Sequence, residues 1–106
     1  MDRIFRALSD PTRRDVVERL SGGQASASDL AAPYGMALPS FVEHMRVLEG
    51  CGLVTSIKQG RVRTYSLAPL QLKLAEDWIG RQRALWESRL DRLDSYLLQL
   101  NEEKPQ

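Results

Sequence analysis

A mainly α-helical fold with one two-stranded β-hairpin is predicted for this chain of 106 residues, and three observations predict it. Apolar residues fall at helical spacing through most of the first 50 positions, punctuated by Pro, Gly and Ser. Residues 53–58 and 62–67 then turn β-rich around Gln59-Gly60-Arg61, the pattern of a hairpin. Finally, Pro69 breaks into a last helix, roughly 70–100, where Leu72, Ile79, Trp86, Leu93 and Leu100 recur every seven residues.

The length fits one domain, 1–106, with a core that needs no staples. A hydrophobic share of 42% with 27% charged residues excludes a disordered chain. The formal net charge of +1 favours no polyanion by itself, but Lys58, Arg61 and Arg63 cluster without an acid among them. Cys51 is the one cysteine, so no internal disulfide forms, which fits a reducing cytoplasm. No signal peptide and no apolar run near the roughly 20 residues of a membrane span is expected.

Taken in order, Ile4, Phe5 and Leu8 give a first helix, 2–8, its apolar face. Asp10 then caps a second helix that Pro11 starts, Val16, Val17 and Leu20 form its buried stripe, and Ser21-Gly22-Gly23 stops it. A short third helix runs from an N-cap at Ser26 or Ser28 to about Tyr34, with Pro33 tightening or ending it. Gly35 is expected to turn the chain with positive φ. The fourth helix covers about 38–50 and turns Phe41, Met45 and Leu48 inward. Gly50-Cys51-Gly52 closes it before the hairpin.

Helix, turn, helix and basic hairpin in that order (28–50, then 53–67) make a winged helix-turn-helix, which sets one helix in a major groove and a wing beside it. Ala31 and Ala32 are small enough for the two helices to cross closely. On the second of them Leu38, Pro39, Ser40, Glu43, His44 and Arg46 are the candidate duplex-facing residues. Ser40 suits a base edge or a phosphate, and Arg46 the backbone. Glu43 either accepts from a cytosine amino group or is a solvated acid. His44 is either a phosphate donor or a boundary residue bonding local backbone; alone, without a partner at ligand spacing, it makes no metal site. Lys58, Arg61 and Arg63 on the hairpin either guard an edge strand or grip phosphates, and Arg61 and Arg63, two apart, are expected on one face of the second strand.

The heptad stripe of the last helix exceeds what a small monomer asks of a terminal helix, so it is expected to meet its twin in a homodimer. Leu72, Ile79, Trp86, Leu90, Leu93 and Leu97 are the candidate interface residues on this helix, while Trp78 and Leu85 are expected to pack on their own domain.

The segments LSDPTRRDVVERL, SDLAAPYGMALPSFVEHMRVLEGCGLV and KQGRVRTYSL, over nearly residues 3–67, resemble the ArsR-type winged-helix repressors. That resemblance implies a cytoplasmic bacterial homodimer that represses transcription at an inverted-repeat operator, paired through its first and last helices, which makes Ile4 and Phe5 candidate interface residues on the first. The tail DWIGRQRALWESRLDRLDSYL is similar to a branch with a long Trp-rich final helix. Metal-sensing members carry Cys-x-Cys where this chain has Ser26-Ala27-Ser28, and others use terminal-helix histidines, of which this chain has none. No metal and no cofactor is therefore expected. Thiol-switch members need two cysteines; Cys51 is expected to fill space at its helix end. Ala37-Leu38-Pro39 replaces a common Ser-Gln-Pro, so the hydroxyl cap is missing and Leu38 either meets a thymine methyl or packs inward.

Two other readings stay open. In one, the same DNA-binding fold answers an inducer between the terminal helices, with Trp78 and Trp86 lining it, or answers a protein partner. In the other, the winged helix mediates protein association without DNA. An enzyme is not expected, because no nucleophile–base pair, phosphate loop or metal site is legible.

Overall fold

A computed structural model describes residues 1–103. The elements are α1 (Asp2–Leu8), α2 (Pro11–Leu20), β1 (Ala25–Ser26), α3 (Ala27–Ala31), α4 (Leu38–Gly50), β2 (Val54–Gln59), β3 (Val62–Leu67) and α5 (Pro69–Glu103). The chain divides into two compact units, one ending at Ala75 and one beginning at Glu76.

The first unit has a single core. Ile4 and Ala7 of α1, Val16, Val17 and Leu20 of α2, and Leu30 of α3 meet Phe41, Met45 and Leu48 of α4. Leu53, Val54 and Tyr65 close it from the sheet side and Ala75 from α5. Caps explain where helices begin. Asp10 Oδ2 accepts from the Arg13 amide at 3.0 Å with Pro11 following, and Ser26 Oγ accepts from the Asp29 amide at 3.2 Å. α4 starts at Ala37 with no side-chain cap.

The two-stranded hairpin of β2 and β3 forms as expected and gains a third strand. Ala25 and Ser26 pair with Tyr65 and Thr64, so the sheet is antiparallel in the order β1-β3-β2. The added strand ties the entry of α3 to the middle of the wing. At the other end of α4, Gly52 has φ 82°, and a Cβ there would stand 2.9 Å from Gln71 Cγ at the start of α5. Glycine suits that position because L side chains rarely adopt such a φ, and a Cβ would force the Gln71 side chain to shift.

Gly35 does not turn the chain as expected: it has no positive φ, and a Cβ would meet nothing. α3 also stops early, at Ala31, ahead of Pro33. What holds the reversal is a network from α2. Arg19 donates to the Leu30 carbonyl at 2.8 Å and to the Asp29 carbonyl at 3.0 Å, which caps the short helix from outside. Its guanidinium also lies 5.7 Å from the Tyr34 ring centroid. Tyr34 stacks on Phe41 at 5.8 Å and donates its hydroxyl to Asp15. Burial first, then that carboxylate, push the Tyr34 phenol above its usual range. Gly35→Ala is thus expected to be neutral or to stabilise by about 0.5 kcal/mol through the unfolded chain. A loss of melting temperature by more than a few degrees would show that Gly35 carries the turn.

The second unit is α5 alone from Glu76 onward. The helix is 35 residues long in all, about 52 Å at 1.5 Å per residue. Ile79, Trp86, Leu90, Leu93 and Leu97 are about half exposed on it. Trp78 and Leu85 are 40% and 54% exposed. Among the described residues no helix is long and apolar enough to cross a membrane.

Candidate nucleic-acid interface

The apolar stripe of α4 fixes what its other side presents. With Phe41, Met45 and Leu48 buried, helical geometry turns Pro39, Ser40, Glu43 and Arg46 outward, and all four are exposed. Leu38 is 60% exposed, so it does not pack inward. Glu43 is neither bare nor unpaired, since its carboxylate takes Arg46 at 2.9 Å, three residues on. Both ends are mostly in water, so the pair contributes little to stability and separates readily.

His44 sits on the flank of this face, half-buried against α2. Its Nδ1 lies 3.1 Å from an Arg13 guanidinium nitrogen and 3.7 Å from Asp10 Oδ2. Its hydrogen-bond partner is the long-range side chain of Arg13 rather than local backbone. Arg13 in turn donates to the carbonyls of Ala7 at 2.7 Å and Arg6 at 3.2 Å, which anchors it to the end of α1. Burial raises the Asp10 carboxyl, but the Arg13 amide and the neighbouring His44 and Arg13 charges pull it below its usual value.

The wing is built on register. Gln59 pairs with Val62, leaving Gly60-Arg61 as a two-residue loop with φ 62° at Gly60 and no positive φ at Arg61. Those signs are those of a type II′ hairpin, whose twist suits the flanking strands. Arg61 therefore belongs to the turn and not, as expected, to one strand face with Arg63. Lys58 instead stands directly across from Arg63, on the face that carries Ser56 and Tyr65 further in. Lys58, Arg61 and Arg63 are all exposed.

Between α4 and the wing the structure forms a cleft lined by Val42, Arg46, Glu49, Arg63 and Tyr65. Arg63 donates to Ser56 Oγ at 2.8 Å, and Ser56 donates on to Glu49, so the guanidinium is held at the cleft mouth. Burial, then the Glu49 charge, raise the Tyr65 phenol, against the pull of Arg63. Val42, Glu49, Ser56 and Tyr65 were not singled out from sequence. The spacing of Val42, Arg46 and Glu49 at i, i+4, i+7 was the available signal, since it marks one helix side facing the wing.

The proposed pairing residues divide. Ile4 is 3% exposed and belongs to the core, so it cannot meet a second subunit; the polarity of α1 is such that Ile4 and Ala7 turn in and Phe5, 36% exposed, turns out. Leu72 is half-buried against the same core. Phe5, Ile79, Trp86, Leu90, Leu93 and Leu97 remain on the surface. Cys51 donates its thiol to the Leu48 carbonyl at 3.3 Å at the end of α4. Among the described residues no three of His, Cys, Asp and Glu converge as metal ligands would.

A short helix, a reversal, an exposed second helix and a basic wing at its side define a winged helix-turn-helix protein. A family profile described as a helix-turn-helix domain matches residues 8–57. The chain is 32% identical over 79 residues to the transcriptional repressor SdpR of Bacillus subtilis, 74% of this chain and 88% of that one. A crystal structure of an ArsR family transcriptional regulator superposes with TM-score 0.79 at 49% identity, over 82% of this chain and 90% of the other. An ArsR-like transcriptional regulator from Rhodococcus sp. RHA1 gives TM-score 0.74 at 32% identity over 90% of both chains. The chain belongs to the ArsR-type family of winged helix-turn-helix proteins and is a DNA-binding transcriptional regulator.

Proposed function

We propose that the protein is a cytoplasmic, metal-independent homodimeric repressor that binds an inverted-repeat operator and catalyses no reaction. The observation that carries the dimer is the stripe of Ile79, Trp86, Leu90, Leu93 and Leu97, each about half exposed along one side of α5. Isolated apolar residues on a surface need no explanation, but a continuous stripe this long does. Repression is supported by the repressor name of the SdpR relative. Metal independence is supported by Ser26-Ala27-Ser28 and by a terminal helix without histidine.

In this reading Leu38, Pro39, Ser40 and Glu43 meet base edges, and Arg46, Lys58, Arg61 and Arg63 meet phosphates. Arg46 can release Glu43 to a cytosine amino group as it turns to the backbone, because their exposed pair holds them weakly. Footprinting the purified protein on its own upstream region, with and without zinc, tests the proposal. A protected dyad unchanged by zinc is the expected result; a footprint that zinc abolishes or creates sinks the metal-independent reading. Arg63→Ala is expected to weaken every duplex alike and to lower the slope of log K against log salt by about one per wing. A loss confined to certain sequences would move Arg63 from backbone to base.

A further inference from the structure

Arg13 cannot accept a hydrogen bond, because a guanidinium has donors only. Its nitrogen 3.1 Å from His44 Nδ1 therefore donates, and Nδ1 must offer a lone pair. The proton of the neutral imidazole is then on Nε2. No described residue bonds that nitrogen, and no buried side-chain nitrogen or oxygen lacks a partner, so Nε2–H opens to solvent. It does so from the same α4 flank as Ser40, one helical turn earlier.

We propose that Arg13 is a positioning residue for His44: it fixes the Nε2–H tautomer, and that N–H donates to a backbone phosphate of the bound duplex. The inference rests on the reading of α4 as the duplex-facing helix and adds to it a neutral donor with a built-in orientation. Asp10 is the other charged group beside the ring, 3.7 Å from Nδ1 and not bonded to Nε2, so it faces the edge turned away from the phosphate. Arg13 is itself braced by the Ala7 and Arg6 carbonyls, so the end of α1 fixes the ring through it. This gives α1 and α2 a direct hold on a side chain of the recognition helix.

Two substitutions separate the two ring nitrogens. Asn places its carbonyl near Nδ1 and keeps a partner for Arg13, but it loses the outward donor. Gln places its amide N–H near Nε2 and keeps that donor. His44→Asn is expected to lose about tenfold in affinity per half-site for every duplex, as removal of a hydrogen bond to a charged group does. His44→Gln should stay within about threefold of the parent. Because the donor is neutral, the salt slope should not change in either variant. Equal affinity of the Asn variant and the parent overturns the contact, and equal losses in both variants overturn the outward donor. A sequence-selective loss overturns the phosphate assignment, and a reduced salt slope overturns the neutral imidazole.

His44 is the only histidine, so long-range proton–nitrogen spectra of the free protein at pH 8 read its tautomer without ambiguity. A protonated Nε2 in the parent, becoming a mixture in Arg13→Met, is expected; a protonated Nδ1 in the parent overturns the positioning role. The His44 pair keeps the contact testable if Arg13→Met fails to fold. A parent protein that binds no duplex at all would instead sink the reading of α4 and the phosphate contact with it, while the spectra still decide the role of Arg13.

Discussion

Leu93→Glu is expected to turn the protein into a monomer at micromolar concentration and to weaken operator binding on the order of a hundredfold or more. Leu93 lies within the exposed apolar stripe of α5, with Leu90 and Leu97 a turn away on either side. In a symmetric pair its position is buried on both subunits at once, so one substitution places two carboxylates in an apolar contact. Each costs several kcal/mol unless it finds a partner, comparable to what burial of the stripe contributes at about 1.5–3 kcal/mol per large side chain. Affinity falls because a lone subunit engages one half-site and loses the effective concentration that pairing supplies. Sedimentation equilibrium of the variant decides it, and a dimer that survives the substitution discards the α5 interface. Leu93 is not part of the core of the first unit, so the variant should still lose its helical circular dichroism in a cooperative melt.

Arg19→Ala has the next largest expected effect, on stability rather than assembly. The guanidinium closes two carbonyls at the end of α3 and covers the Tyr34 ring. Hydrogen bonds involving a charged partner contribute about 1.5–3 kcal/mol, so removing this side chain should cost about 2–3 kcal/mol and lower the melting temperature by roughly 10 °C or more. Lys should not restore it, because one ammonium cannot span both carbonyls and lie flat on the ring. Arg14→Ala makes a fair control: its guanidinium donates to the Leu8 carbonyl at 2.8 Å on the exposed side. Equal melting of parent and Arg19→Ala would leave the helix-turn-helix reversal without a determinant.

That contrast explains how much of the fold could be read from the chain. The caps at Asp10 and Ser26, the stripe of α4 and the hairpin at Gly60 are local signals, and each lies where the residues placed it. The reversal after α3 is not local. Its determinants come from α2, up to nineteen positions away in sequence, and no periodicity marks them. Gly35 drew the reversal to itself only because glycine permits positive φ; nothing in a sequence says whether the permission is used. Two-residue β1 is likewise invisible, since its ladder partners are Thr64 and Tyr65. Ile4 and Phe5 show a third limit: neighbours on one short helix, one sealed in the core and one on the surface, which spacing alone over seven residues does not separate. In the site, residue types suggested Arg46 and Arg63, but the cleft joining them and the Ser56–Glu49 support behind Arg63 depend on register between strands.

Lys58 and Arg63 have a consequence for the free protein. Two cations facing each other across a ladder repel, at a cost of a few tenths of a kcal/mol up to about 1 kcal/mol. An anion lodged between them would convert that repulsion into a shared attraction. The outer hairpin is therefore loosest when unoccupied and should stiffen on contact with a polyphosphate: backbone amides flanking the Gly60-Arg61 loop ought to exchange with deuterium more slowly in the complex, while those near Val54 and Leu67 stay as they were.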